Sequence, residues 1–486
     1  MSSGQFDFSL AIGGAAGQGI ATPGNILART FTRRGLWLNA YNAYQSIVRG
    51  GHIFLTMRIS DKEIYSHGDG LDMLLCLNQD TMDRHLGLMG PGGQVIFDGD
   101  KIIPGETPEG VQLCPMPIKE LSNKSRNKVI QNTIALGVIN NLLGLEFELL
   151  ENSLKQQFGR KGDAVVEENA SAAKAGYEYA KEHFKAYPEP LATGPKPLAL
   201  WTGNDALAMG GAAAGVKFYT AYPMSPSTGV LHWMAANARE LGIMVRQAED
   251  EIAVANMAIG AAHVGARAMC ATSGGGFALM TEAVGAAAMM EIPVVFINVM
   301  RAGPSTGVPT KTEQGDLWQV LGASQGDFER LIVAPTDALD AFKTVPELFN
   351  LCDQHQCPGI VITDLLISEG TFSTDPDNLN LQPEIDRGEI VTNGANNDDY
   401  LRYELTDSGI SPRALPGLEG HVHVVATDEH DQDGVIISDE FTNPHKRRRM
   451  VEKRARKFAS IEEQIAPPVL AGPKDAEVTL IGWGST

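Results

Sequence analysis

Four short segments decide the fold: YPMSPST (222–228), AEDE (248–251), ATSGGG (271–276) and RAGPSTGVPTKTEQGDL (301–317). Each follows an apolar run of strand length, ending respectively near residues 222, 248, 272 and 300. The first three lead into helical patterns at 229–242, 251–263 and 277–290. Strand, turn and helix repeated in this way predict a doubly wound α/β domain with a parallel sheet. In such a sheet the turns at the carboxyl ends of the strands form the ligand crevice, so these four turns should converge on one edge.

The pattern continues outward. RLIVAPT, a helical run at 338–355 and GIVITDLL (359–366) extend the same domain. The helix at 251–263 is dense in small residues, which suits close packing. Pro223 and Pro226 stiffen the first turn, where Ser227 or Thr228 can cap the following helix. Gly242 stands where a helix ends. Upstream, the segment 186–197 carries four prolines and reads as a linker. Before it, FSLAIGG (8–14) runs into a glycine-rich turn and a helix. Gly13, Gly14, Gly17 and Gly19 lack the dinucleotide spacing, yet they bare backbone N–H groups at a helix start, which suits an anion as well as a tight turn. Further strands are expected at 72–77 and 92–99, and helices at about 122–150 and 163–184. Beyond residue 371 the rhythm breaks into Asp-, Asn-, Pro- and Gly-rich sequence. KRRRMVEKRARK (446–457) reads as a solvated basic helix face. The last segment, AEVTLIGWGST (476–486), reads as a strand entering a glycine turn, the start of a further domain that the sequence would truncate.

Composition narrows the function. Lys and Arg number 39 against 59 Asp and Glu, a net charge of −20, which argues against nucleic acid. The five cysteines are scattered without the two-residue spacing of a metal or cluster site, so they are expected to be reduced thiols of a cytoplasmic protein. The N-terminus lacks signal-peptide character, and no uncharged apolar run is long enough to span a bilayer.

In this order and these contexts, the four turns resemble those of the α subunit of the 2-oxoacid:ferredoxin oxidoreductases. These thiamine-diphosphate enzymes decarboxylate a 2-oxoacid and pass electrons to ferredoxin. The resemblance extends to the N-terminal third. The segment 43–51, ending in Arg49, Gly50 and Gly51, is similar to the SYxxxxRGG segment of the family's γ domain, with Ala43 in place of the Ser. The implied organisation is a γ-type α/β domain (1–190) and a doubly wound, pyrimidine-type thiamine-diphosphate domain (198–370). A connector (371–468) and the first strand of a further α/β domain (469–486) follow. DEHDQDG (428–434) looks like the family's EHDxxG connector segment; its spacing does not fit a calcium loop.

The resemblance also implies roles. Glu251 stands nine residues before Gly260, the family's interval, and is the candidate carboxylate against the cofactor aminopyrimidine; Glu249 is the competitor, Asp250 faces elsewhere on the turn, and all three could merely complement a helix dipole. Arg301, a cation at the end of a buried strand, would bind the substrate carboxylate, alongside Ser225, Thr228, Thr306 and Lys311. Ser225 replaces the usual Thr and keeps a hydroxyl. Tyr222, Pro223, Thr228, Ser273 and Gly274 would border the cofactor, and Gly275 replaces a usual Pro. Gly17, Gly19 and Arg49 are candidates for coenzyme A. No GDG…N pattern is present, so Mg2+, the diphosphate end of the cofactor and a [4Fe-4S] cluster are expected on a β subunit, in a dimer of αβ units served by ferredoxin. A γ domain fused ahead of α resembles the 2-oxoglutarate type, with succinyl-CoA as product. Pyruvate is the second choice, and a non-catalytic docking subunit is the alternative of another class.

Overall fold

A computed structural model of the chain describes residues 6–45, 50–122, 125, 129–393, 400–437, 444–461 and 463–486. The chain divides into two compact units, 1–202 with 370–379, and 203–369 with 380–486.

The first unit is built on an eight-stranded sheet. Its strands are β1 (Asp7–Ala15), β2 (Trp37–Ala43), β3 (His52–Ser60), β4 (Leu71–Cys76), β5 (Met89–Asp98), β6 (Gln112–Met116), β7 (Ala199–Thr202) and β14 (Thr371–Thr374), in the order β6-β5-β4-β1-β3-β2-β14-β7. The half from β6 to β1 is parallel, and the pairings from β1 through β3, β2 and β14 to β7 are antiparallel. Central β1 is buried over Phe8–Gly14, which explains its nearly unbroken apolar sequence. Helices Ile130–Leu142 and Asp163–His183 pack backbone to backbone. A Cβ on Gly137 would stand 1.9 Å from the Ala173 carbonyl oxygen, and one on Gly176 would stand 2.1 Å from that of Ile134. The sequence places residues from 198 onward in the central domain and 371 onward in a connector. Instead, β7 and β14 complete the first sheet, because Thr371–Thr374 returns to pair with β2 and β7.

The second unit holds a six-stranded, wholly parallel sheet: β8 (Phe218–Ala221), β9 (Met244–Gln247), β10 (Ala268–Thr272), β11 (Val294–Met300), β12 (Leu331–Val333) and β13 (Pro358–Asp364). Their order is β12-β13-β11-β10-β8-β9. Strand β9 lies on one side of β8, and the next strand in sequence, β10, lies on the other. The winding therefore reverses at β8, the kind of switch point where a crevice opens. β11 and β13 are buried at every residue. A small parallel pair, β15 (Ile390–Val391) and β16 (Arg413–Ala414), belongs to the connector.

Three expectations are corrected. The basic run is not a solvated face throughout. In helix Pro444–Arg456 and just beyond it, Lys453, Arg454 and Lys457 are buried, and Lys453 Nζ lies 2.8 Å and Lys457 Nζ 3.1 Å from the carboxylate of the equally buried Glu291. Arg454 binds both oxygens of Glu429, in the DEHDQDG segment. An acidic chain spends its basic residues where buried carboxylates need partners. Second, no strand forms at 476–486. Trp483 instead packs on the second unit's core, and Gln314 Nε2 donates to its carbonyl at 3.1 Å. Third, Ser227 occupies the cap position of helix Thr228–Leu241 without a side-chain capping bond, because its hydroxyl donates back to the Met224 carbonyl at 2.8 Å.

Among the described residues, no helix is long and apolar enough to cross a membrane. The five cysteines are buried free thiols.

Candidate active site at the carboxyl edge of the second sheet

Because the second sheet is parallel, the turns after β8, β9, β10 and β11 lie on one edge. The turn after β9 starts a helix, Glu251–His263. Asp250 caps it, accepting from the Ala253 N–H at 2.8 Å, so Glu251 is free for another task. Glu251 is only 4% exposed, and its Oε1 has no hydrogen-bond partner among the described residues. A buried carboxylate oxygen left alone is costly, on the order of 1–3 kcal/mol for an unmet polar group and more for a charge. Glu249 is exposed.

The expected turn SGGG is the first turn of helix Gly274–Met289, with Ser273 at the cap position. Two of its glycines are required by close approach. A Cβ on Gly276 would stand 2.0 Å from Thr272 Oγ1 and 2.7 Å from Glu251 Oε1; one on Gly274 would stand 2.4 Å from Asp316 Oδ2. Gly275 has only the Ser305 carbonyl oxygen within reach, at 3.8 Å, which is why this position can differ. Ser273 is fully buried, and its hydroxyl has no partner among the described residues.

The loop after β11 folds back on itself through the bridge Ala302–Val308. Arg301 Nη1 donates to the Ser225 carbonyl at 2.7 Å, joining this loop to the turn after β8. Burial lowers the Arg301 pKa, and Asp316 partly offsets this. Ser225–Pro226 and Gly303–Pro304 are cis peptides. Tyr222, Pro223 and Ser225 are exposed, and Thr228 is half-buried. Thr306 and Lys311 are exposed on the same loop as Arg301. The turns after β8, β9, β10 and β11 thus bring Glu251, the SGGG turn, Ser225 and Arg301 to one sheet edge.

Further buried polar atoms in this part of the fold have no partner among the described residues: Thr220 Oγ1, Asn298 Oδ1 and Asn204 Oδ1. Buried polar atoms left unmet near a guanidinium suit a polar ligand.

Comparison with known proteins decides the family. Residues 9–179 match the pyruvate ferredoxin/flavodoxin oxidoreductase family, and residues 209–451 match its thiamine-diphosphate-binding domain family. A 2-oxoacid:ferredoxin oxidoreductase α subunit from Aeropyrum pernix is 32% identical over 99% of this chain and 83% of the relative. The chain belongs to the α subunits of the 2-oxoacid:ferredoxin oxidoreductases. The 2-oxoglutarate oxidoreductase subunit KorA of Mycobacterium tuberculosis is 31% identical, over 88% of this chain and 69% of the relative. In three dimensions the chain is similar to the 2-oxoglutarate:ferredoxin oxidoreductase of Magnetococcus marinus, at TM-score 0.88 and 31% identity over 96% of this chain and 81% of that one. That structure holds 2-oxoglutarate, coenzyme A and succinyl-CoA.

In this α subunit, sequence reasoning passed over Asn298 and Asp316. Asn298 was visible as a lone amide inside the apolar strand PVVFINVM, where a polar residue needs a reason. Asp316 lies within the quoted 301–317 segment but matches no familiar motif.

The other candidates lie in the first unit. Gly17 and Gly19 adopt positive φ (95° and 76°) in the turn after β1, which Gln18 locks by accepting from the Ala15 N–H at 2.6 Å. Asn132 Nδ2 donates to the Gln18 and Gly19 carbonyls at 2.7 and 3.2 Å. Arg49 lies outside the described residues.

Proposed function

We propose that this α subunit oxidatively decarboxylates 2-oxoglutarate, with γ and α functions on one chain and an iron–sulfur β subunit completing the cofactor site. In this reading 2-oxoglutarate, coenzyme A and two oxidised ferredoxins give succinyl-CoA, carbon dioxide, two reduced ferredoxins and a proton. The preference for 2-oxoglutarate over pyruvate rests on the likeness to the KorA and Magnetococcus proteins.

The observation that carries the reading is Glu251: a buried carboxyl group at the switch-point edge with one oxygen unmet. Those residues fit the aminopyrimidine of thiamine diphosphate, whose N1′ would meet Oε1. When bound, that cofactor supplies the electron sink that lets a 2-oxoacid lose carbon dioxide. Glu251 would share a proton with N1′, and Tyr222, Pro223, Ser273 and Gly274 would border the ring. Arg301 takes the carboxylate of the 2-oxoacid with its guanidinium fork, while the hydroxyls of Ser225 and Thr228 orient the oxo group and Thr306 and Lys311 shape the mouth. Mg2+, the diphosphate and the [4Fe-4S] cluster belong to the β subunit, and the Gly17–Gly19 turn with Arg49 contacts coenzyme A.

A partner chain explains a further feature. Helix Glu251–His263 is apolar around its circumference, a character that suits complete burial. Yet Ile252 is 54% and Met257 40% exposed, Val264 just beyond is 59% exposed, and the space beside Gly260 is open. The β subunit would cover this face.

The test is reconstitution with the iron–sulfur β subunit and ferredoxin. We expect coenzyme A-dependent ferredoxin reduction with 2-oxoglutarate at a kcat/KM at least tenfold above that with pyruvate. A preference for pyruvate would reassign the substrate, and no 2-oxoacid-dependent reduction would overturn the reading.

A further inference from the structure

The Arg301 loop is fastened at its far end by a carboxyl group to which the reading above gives no role. Asp316 accepts from Asn298 Nδ2 at 3.1 Å and abuts Gly274, where its Oδ2 leaves no room for even a methyl group. Asn298 on β11 stands opposite Thr272 on β10, so this amide sits beside the residue that leads into the SGGG turn. Three residues after Asp316, Gln319 Nε2 donates to the Gly274 carbonyl at 3.1 Å. The segment 301–319 is therefore tied to the turn after β8 through Arg301, to β11 through Asp316, which packs against Gly274, and to the turn after β10 through Gln319. Asn298 and Ser273, at the same corner, are fully buried with an unmet oxygen each. Asp316 and Arg301 attract one another across the loop, and Glu313, whose Oε2 accepts from the Gly303 N–H at 3.2 Å, adds a second negative charge. From the neighbouring elements, β11 presents the neutral Asn298, the helix after β10 presents its glycines, and Glu251 faces the same turn at Gly276.

We propose that Asp316 is a positioning residue of the 2-oxoacid site: it holds the Arg301 loop on the glycine turn, and its charge competes with the incoming carboxylate for the Arg301 guanidinium. This rests on the reading of Arg301 as the carboxylate-binding cation. Burial raises the pKa of Asp316, the Asn298 bond and Arg301 work against this, and Glu313 adds to it, so the group changes charge nearer neutrality than an exposed aspartate does. Removing the Asp316 charge should therefore tighten binding of the 2-oxoacid.

The experiment compares wild type, D316N, D316E and D316A in the complex with the β subunit. KM and kcat for 2-oxoglutarate are measured at one pH near neutrality, with KM for coenzyme A as internal control. D316N keeps an acceptor for Asn298 and loses the charge. It should lower the 2-oxoglutarate KM at least threefold, with coenzyme A unaffected. D316E keeps the charge and should not show that fall. D316A loses both functions and should show a KM at least tenfold above that of D316N. An unchanged 2-oxoglutarate KM in D316N, or equal KM values in D316N and D316A, would overturn the proposal. If even the wild-type complex turned over no 2-oxoacid, the functional reading would fail separately, and hydrogen exchange would decide. D316A should speed amide exchange in 301–319 and 273–276 at least fivefold over D316N, and equal exchange would refute the positioning role.

Discussion

Glu251 is where sequence and structure bear most directly on chemistry. Asp250 takes the capping duty that an acidic pair at a helix start would otherwise share, and this leaves the Glu251 carboxyl buried against Gly276 with an oxygen unmet. Glu251→Gln is nearly isosteric and can still hydrogen-bond N1′, but it cannot exchange a proton there. In the reconstituted complex, hydrogen–deuterium exchange at the cofactor C2 should fall by about 10²–10⁴-fold, the usual worth of a positioned proton transfer. The isolated variant should melt no earlier than wild type, since it removes a carboxyl from a buried site where one oxygen is already unmet among the described residues. Wild-type exchange in the variant would exclude Glu251 and direct attention to Glu249.

At the scale of elements, the glycine turn makes a sharper distinction than its sequence does. Gly275→Ala meets only ordinary space, whereas Gly276→Ala drives a methyl onto Thr272 Oγ1 and the Glu251 carboxyl. The first should keep wild-type kcat/KM within about twofold; the second should lower it by an amount comparable to Glu251→Gln, because the same carboxyl is displaced. Equal effects would mean that the approach of Glu251 to this turn is not needed. A second element, helix Pro444–Arg456, carries a pH dependence. Burial opposes ionisation of Glu291, but Lys457 and Lys453 outweigh it and hold the carboxyl well below its ordinary value of 4.5. The stability from this depressed pKa is fully present above pH 4.5 and is lost as pH falls below it. Glu291→Gln should therefore melt earlier than wild type at pH 7, by a margin that reflects about 3–5 kcal/mol for breaking a buried pair, and the gap should narrow in acid. Thermal melts at pH 7 and pH 4 check this. The alternation of strands and helices in the second unit was legible because each apolar run is bounded by a turn of distinctive composition. The pairing of β7 and β14 was not, since two four-residue strands far apart in sequence leave no periodic signal. The burial of Lys453 was not legible either: a lysine that meets a carboxylate 162 positions away has the same local sequence as one in water.

For the whole molecule, the question is what the chain needs from outside itself. Among the described residues no cluster of three or more His, Cys, Asp or Glu side chains could hold a metal. The five thiols are buried, and burial raises those of Cys76 and Cys270 far above the range in which thiolates form. In the reading proposed above a β subunit carries the electrons, and such a partner needs a surface. Ile252 and Met257 offer one on the helix that carries Glu251: exposed, apolar, and within the first two turns after the proposed cofactor carboxylate. Each is already about half covered, so burying the rest is worth roughly 1 kcal/mol, a part of the ~1.5–3 kcal/mol for complete burial. Replacing both with Glu adds two charges that association would have to desolvate. Ile252→Glu with Met257→Glu should leave the isolated chain folded, because neither side chain belongs to its core, while weakening association with the β subunit at least 100-fold. Analytical ultracentrifugation of the mixed subunits measures the loss, and circular dichroism of the isolated variant checks the fold. Undiminished association would place the β subunit on another face and leave the exposed apolar helix without a partner.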